Sequence, residues 1–326
     1  MVPVGQAQSF GDIRVEGQGN SLVINQVVQI AVSEVKTRPF IASSPYPGLR
    51  RFEERNKDFF FGRDLLVAQL LGRVASRNLL LVAGASGSGK SSVVRAGFIP
   101  QLAARLPQGR FQALTFTPDR DPYQSLRGAL QSIGASQGKL DALADHTTES
   151  LAATFAALRP ADDLWLLFAD QFEEIFTLCT EVAWRESFIS GLTRLANSDG
   201  IRIVLAMRAD FFDRFGPHPE LSRLCEQGLC LVSEMQASEL RAAIEQPAAR
   251  HGVVFEEGLV EQIIADVKGR PGALPLLQYT LDLVWREDNP VDDRTLNRAS
   301  YHKVGGVEGA LRRMRPSESI LHTGAR

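Results

Sequence analysis

The sequence predicts an α/β protein: a five-stranded parallel sheet with helices on both faces, followed by a small helical lid. Three observations predict it. Five short apolar runs, at 79–83, 111–117, 164–169, 201–207 and 228–232, alternate with stretches of helical period. The run Leu164-Trp165-Leu166-Leu167-Phe168-Ala169 is continuous rather than alternating, as in a strand buried on both faces. Directly behind the first run, Gly84, Gly89, Lys90 and Ser91 stand at the G-x-x-x-x-G-K-[ST] spacing of a phosphate-binding loop.

Taken in order, residues 10–33 alternate weakly around Gly17-Gln18-Gly19-Asn20 and read as a β-hairpin-like arm. A proline-punctuated linker follows, from Arg38-Pro39 to Tyr46-Pro47-Gly48. The amphipathic stretch Asp64 to Val74 is a helix leading into the first strand, and helices are expected near 121–134 and 148–158 after the second. Beyond Ser233 no strand pattern survives until about residue 290, and 237–250, 257–268 and 273–286 read as helices. The expected division is an N-terminal arm and linker at 1–43, a nucleotide-binding domain at 44–235, a helical lid at 236–310 and a disordered tail at 311–326.

Composition narrows the function. A chain of 326 residues, 44% hydrophobic, can build a full core in two or more units. The net charge of −2, with acids and bases interspersed, gives no electrostatic footprint for nucleic acid. Cys179, Cys225 and Cys230 lack metal-ligand spacing, and the five histidines are scattered. No apolar run is long enough to span a membrane and the first residues lack a charged leader, so a cytoplasmic location is expected.

Each residue type in the loop has a task. Gly84, Gly87 and Gly89 let the backbone turn tightly around a phosphate, with Ser86 and Ser88 between them. Lys90 is the point charge for the β- and γ-phosphates, and the Ser91 hydroxyl, followed by Ser92, can ligate Mg²⁺. A helix starting there turns its positive end to the anion. Asp170 closes the buried third strand, the position of a carboxylate that holds Mg²⁺ through water. Glu173 and Glu174 follow it at the distance where one carboxylate can polarise an attacking water; Glu173 is favoured, and the other can pair at the surface. Arg208, at the end of the fourth strand, is placed to neutralise charge on the γ-phosphate, the alternative being an ion pair with Asp210 or Asp213. Asn56-Lys57-Asp58 and Gly305-Gly306-Val307-Glu308-Gly309 only imitate nucleotide motifs, since both stand in the wrong context.

With these motifs in place, the chain resembles the STAND class of P-loop NTPases, and within it the novel STAND NTPase type of bacterial regulatory proteins, often found ahead of a WD-repeat propeller. Ser44-Pro45-Tyr46-Pro47-Gly48-Leu49 with Phe60-Phe61-Gly62-Arg63-Asp64 resembles the family's leading segment, although Asp64 stands where glutamate is common. Asp170-Gln171-Phe172-Glu173-Glu174 and Arg208-Ala209-Asp210-Phe211 are similar to its second nucleotide motif and its arginine after the fourth strand. Gly272-Ala273-Leu274-Pro275-Leu276-Leu277 resembles the proline element of the lid.

The resemblance implies that Phe61, Gly62 and Arg63 lie against the adenine and that Pro275 approaches base and ribose. It implies an ATP/ADP- and Mg²⁺-dependent regulatory switch with slow hydrolysis, with a nucleotide-bound scaffold without turnover and a small-molecule phosphotransferase as alternatives. It also implies a protein partner or C-terminal sensor or effector domain and a nucleotide-dependent oligomer, while charge and apolar-run length lead to an expectation of no nucleic acid or membrane partner. After Ala310 the similarity to the family's next helical domain stops at Arg312-Arg313-Met314-Arg315-Pro316, so a truncated or split switch is expected.

Overall fold

The computed structural model describes residues 32–270 and 272–314. The hairpin-like arm expected at 10–33 lies, but for its last two residues, outside them, as does the tail from residue 315.

Five parallel strands form the sheet: β1 (Leu79–Gly84), β2 (Phe111–Phe116), β3 (Leu164–Ala169), β4 (Ile201–Arg208) and β5 (Leu229–Leu231), in the order β2-β3-β4-β1-β5. Alternate side chains of a strand face opposite sides, and here both sides are buried. Leu79, Leu81, Leu167, Ile203 and Leu205 pack under Pro122–Ser132, Thr148–Leu158, Val182–Ala196 and Pro219–Gln227. Leu80, Val82, Leu166, Phe168, Val204 and Ala206 pack against Asp64–Val74 and the helix that follows the loop. The sequence reading missed the helices Val182–Ala196 and Pro219–Gln227, both on the first of these faces.

The C-terminal helices Ala237–Arg250, Leu259–Val267 and Ala273–Asp288 share a core of their own around Ile244, Ile263, Leu277, Leu281 and Trp285. Two features there depart from expectation. Val254–Phe255 and Thr295–Leu296 pair as a two-residue parallel ladder, β6 and β7, too short to leave a periodic signal. Tyr301, Val304, Val307 and Ala310 bury into this same core and complete it. Its last helix, Gly306–Met314, runs four residues past the expected boundary at Ala310.

Residues 36–46 also belong against this layer. Lys36 Nζ donates to Asp293 O and Thr295 Oγ1, each at 2.8 Å, Trp285 Nε1 to Ala42 O at 2.9 Å, and Tyr46 Oη to Ile244 O at 2.6 Å. This strap starts on the helical layer and then crosses to the sheet. No helix among the described residues is long and apolar enough to cross a membrane.

Candidate functional site

The chain leaves β1 for the far edge strand β2 and returns through β3 and β4, with β5 on the other side of β1. In open α/β sheets ligands gather at the carboxyl ends near such a reversal. Gly84 is in register with Arg208 across β1 and β4, and Asp170 follows the last residue of β3. Three separated motifs therefore end on one rim.

The loop after β1 turns through Gly87 (φ 72°) and Gly89 (φ 91°), a backbone region that side chains rarely adopt. Close approach also demands glycine here. A Cβ on Gly84 would stand 2.7 Å from Val232 O, and one on Gly87 would stand 2.9 Å from Gly272 Cα. The following helix opens as Lys90–Ser92, widens to a π-helix over Val93–Phe98 and closes as Ile99–Ala103. Pro100 accounts for the widening: it has no N–H for Ala96, and Ile99 N–H reaches back to Val94 O instead.

A cavity of about 380 Å³ opens between this loop and the helical layer, within the range of small-ligand sites. Its polar end is made by Ser86, Gly87, Gly89, Lys90, Ser91, Ser92, Asp170, Gln171, Glu173 and Arg208. Phe59, Phe60, Phe61, Met235, Leu274, Pro275 and Leu277 make the other end apolar, with Gln278 the neutral polar side chain among them. One end is thus built for charge and the other for a flat apolar group.

Within the polar end, Lys90 Nζ donates to Gly84 O (3.1 Å) and Ala85 O (2.8 Å). Burial lowers its pKa, opposed by the charges of Glu173 and Asp170. Ser91 Oγ donates to Asp170 Oδ1 at 2.6 Å, and Ser92 Oγ accepts the Phe52 N–H at 3.2 Å. The Ser88 hydroxyl is buried without a hydrogen-bond partner.

Gln171 adopts φ 51°, unusual for a residue with a side chain, and this turn sends Phe172 N–H back to Ala206 O at 2.8 Å. The next turn brings Glu173 to the cavity, where its Oε2 accepts the Arg208 N–H at 3.3 Å. Glu174 instead accepts from Gln171 Nε2 at 3.1 Å and does not line the cavity. Burial raises its pKa, with Asp119, Glu173 and Asp170 adding to the effect. The Arg208 side chain lines the cavity but pairs with Asp210 at 2.6 and 3.1 Å, one of the two alternatives open in the sequence.

The aromatic segment is divided. Phe61 lines the cavity and lies under the Arg250 guanidinium at 5.3 Å, and Pro275 lines it from the lid. Gly62 (φ 83°) does not line it; a Cβ there would collide with Glu239 O. Arg63, 4% exposed, gives Nη2 to Ser88 O (3.2 Å) and Ser233 O (2.9 Å), clamping the loop to the segment after β5. Gly62, Gly84, Ser88 and Glu174 thus shape the site from behind its walls.

Two arginines were not expected. Arg51 Nη1 (3.1 Å) and Arg95 Nη2 (3.2 Å) both bond Asp170 Oδ2, and Asp170 is 1% exposed. Arg95 was legible in principle: it stands four residues after Ser91 and so shares its helix face. Arg51 left no signal, because its pairing spans 119 residues.

The residues fit a nucleotide with a divalent cation. Gly87 and Gly89, both at positive φ, stand with Lys90 and Ser91 at the polar end of the cavity, a donor set of the kind that takes a polyphosphate. Among the described residues no cluster of three or more His, Cys, Asp or Glu could cage a metal. Mg²⁺ needs none, since it rests on phosphate oxygens and water with one or two protein groups; Ser91 and Asp170, hydrogen-bonded to each other at the polar end, are groups that would serve.

No curated protein matches the chain. Among solved structures it is similar to the Aeropyrum pernix ORC1 protein in complex with DNA, with a TM-score of 0.56 at 16% identity over 78% of this chain and 66% of that one. It is similar to the Aeropyrum pernix ORC2 protein in ADPNP-ADP complexes, at 0.53 and 14% over 86% and 72%. Cdc6p of Pyrobaculum aerophilum matches at 0.50 and 18% over 74% and 67%. At such identities the likeness is one of fold, and the chain spans just under two thirds of the ORC1 chain, 66%. The model of the family Novel STAND NTPase 1 matches residues 45–318.

Proposed function

We propose that this chain, which belongs to the novel STAND NTPase 1 family of P-loop NTPases, is a cytoplasmic regulatory switch that binds ATP and ADP with Mg²⁺ and hydrolyses ATP slowly. One observation carries the reading. The cavity is walled on one side by the loop at Gly87 to Ser92 and on the other by Leu274, Pro275 and Gln278 of the helical layer. A ligand that touches two packed layers biases how they sit together, provided its forms bind the two arrangements differently. In this reading Lys90 and the loop glycines take the phosphates, and Ser91 and Asp170 carry the metal that neutralises them. Phe61 and Pro275 flank the base. Glu173 orients the attacking water, and Arg208 exchanges Asp210 for the γ-phosphate. The output passes to a protein partner or a further domain through the helical layer.

The test joins binding to layer coupling. Lys90→Ala loses one charge-assisted phosphate contact, about 1.5–3 kcal/mol, so ATP and ADP affinities measured by titration calorimetry fall at least tenfold. In the parent protein, limited proteolysis of residues 237–310 is slowed by ADP and less by a non-hydrolysable ATP analogue. Unchanged affinity in Lys90→Ala removes the phosphate assignment, and identical cleavage with both nucleotides removes the switch.

A further inference from the structure

We propose that Arg51 and Arg95 act as a built-in counter-cation for Asp170, so that the site takes a nucleoside diphosphate with or without a divalent metal; the inference rests on the nucleotide reading above. Asp170 is committed on both oxygens. Its Oδ1 accepts from Ser91 Oγ (2.6 Å) and Gln171 N–H (3.1 Å), and its Oδ2 from Arg51 Nη1 (3.1 Å), Arg95 Nη2 (3.2 Å) and Arg95 Nε (3.3 Å). An ionised carboxylate has about four acceptor positions, and this one is saturated. Glu53 closes the circuit, with Oε1 2.7 Å from Arg51 Nε and Oε2 3.2 Å from Arg95 Nη1. Two cations and two anions alternate around a ring of zero net charge.

The ring matters because of where Asp170 is. A carboxylate with 1% exposure beside a polyphosphate repels it through a medium that screens poorly. A bound divalent cation is the usual remedy. Here two guanidiniums already pair with the carboxylate. Arg95 is held for the task. It is 14% exposed on its side chain, lies over the Phe168 ring at 5.5 Å, and leaves the same helix face as Ser91. Arg51, 45% exposed, is the looser partner and the one that an arriving cation displaces from Oδ2. Diphosphate binding is therefore nearly indifferent to metal, whereas a metal carried in with the triphosphate competes with Arg51 for the carboxylate.

The deciding quantity is the ratio of ADP dissociation constants in excess EDTA and in excess Mg²⁺, measured by titration calorimetry. In the parent protein the ratio stays within about threefold; in Arg95→Ala and in the half-exposed Arg51→Ala it rises above about tenfold. Adding Asp170→Asn to either variant removes the orphaned charge and returns the ratio to the parent value. Loss of the ring's stability alone lowers the thermal midpoint of a variant without moving the ratio, and that result overturns the proposal. So does a parent ratio above about tenfold. A parent protein that binds no ADP under either condition fails at the nucleotide reading itself, and the proposal falls with it. Arg51→Ala keeps the test open if Arg95→Ala does not fold, since Arg51 lies at the surface.

Discussion

Glu173 and Glu174 are adjacent in the chain and have opposite environments, because the backbone reverses at Gln171 (φ 51°). The turn sets Glu173 on the cavity beside the Arg208 amide and leaves Glu174 hydrogen-bonded to Gln171 behind it. The pKa directions alone favour Glu174 as a base, since burial and three neighbouring carboxylates raise it. Geometry takes precedence, because a base must first reach the water it activates. Glu173→Gln is therefore expected to keep ATP affinity within about twofold and to cut single-turnover hydrolysis by about 10²-fold or more, with Glu174→Gln close to parent. Full activity in Glu173→Gln and loss in Glu174→Gln reverses the assignment.

At the level of elements, three connections that carry no periodic signal build the site. The turn at Gly62 brings the leading segment against the first turn of the helix Ala237–Arg250, Pro100 widens the helix behind Lys90–Ser92, and the strap at 36–46 pins the helical layer. The resemblance placed Gly62 at the adenine, whereas its demand is steric: positive φ together with contact at Glu239 O. Gly62→Ala meets both costs at once, so a loss of about 2 kcal/mol or more in chemical denaturation is expected. A variant within about 0.5 kcal/mol of the parent means that the helix start gives way easily.

Across the whole molecule, a buried histidine is among the groups that tie the strap to the helical layer. His251 is 3% exposed, lies edge-on to Phe59 at 4.9 Å and Trp285 at 5.7 Å, and donates from Nδ1 to Ser43 O at 2.9 Å. Burial lowers its pKa below the ordinary 6.5, with the backbone hydrogen bonds at Ser43 and Ile41 opposing. The unfolded chain then binds this proton more readily than the folded one, so stability from this group is complete above 6.5 and is lost as the pH falls through it. The thermal midpoint should drop between pH 7 and pH 5.5, and His251→Gln, which keeps an N–H donor for Ser43, should flatten that slope; an unchanged slope assigns the loss to other groups.

The sequence by itself determined the sheet, the loop and the family, because each rests on local repetition. Five apolar runs and one glycine-lysine spacing survive whatever surrounds them. Its five strands and the three main C-terminal helices recur to within one or two residues at each end, while β6 and β7, two residues each, lay below the length at which a period exists. Tertiary structure alone decided which of the singled-out residues reach the cavity and which brace it. Gly62 and Ser88 turned out to stand behind the wall, and Glu174 to face away, through single backbone angles and close contacts that leave no period. It alone also brought Arg51 to Asp170 across 119 residues, since a long-range ion pair follows from how elements pack and not from any spacing along the chain.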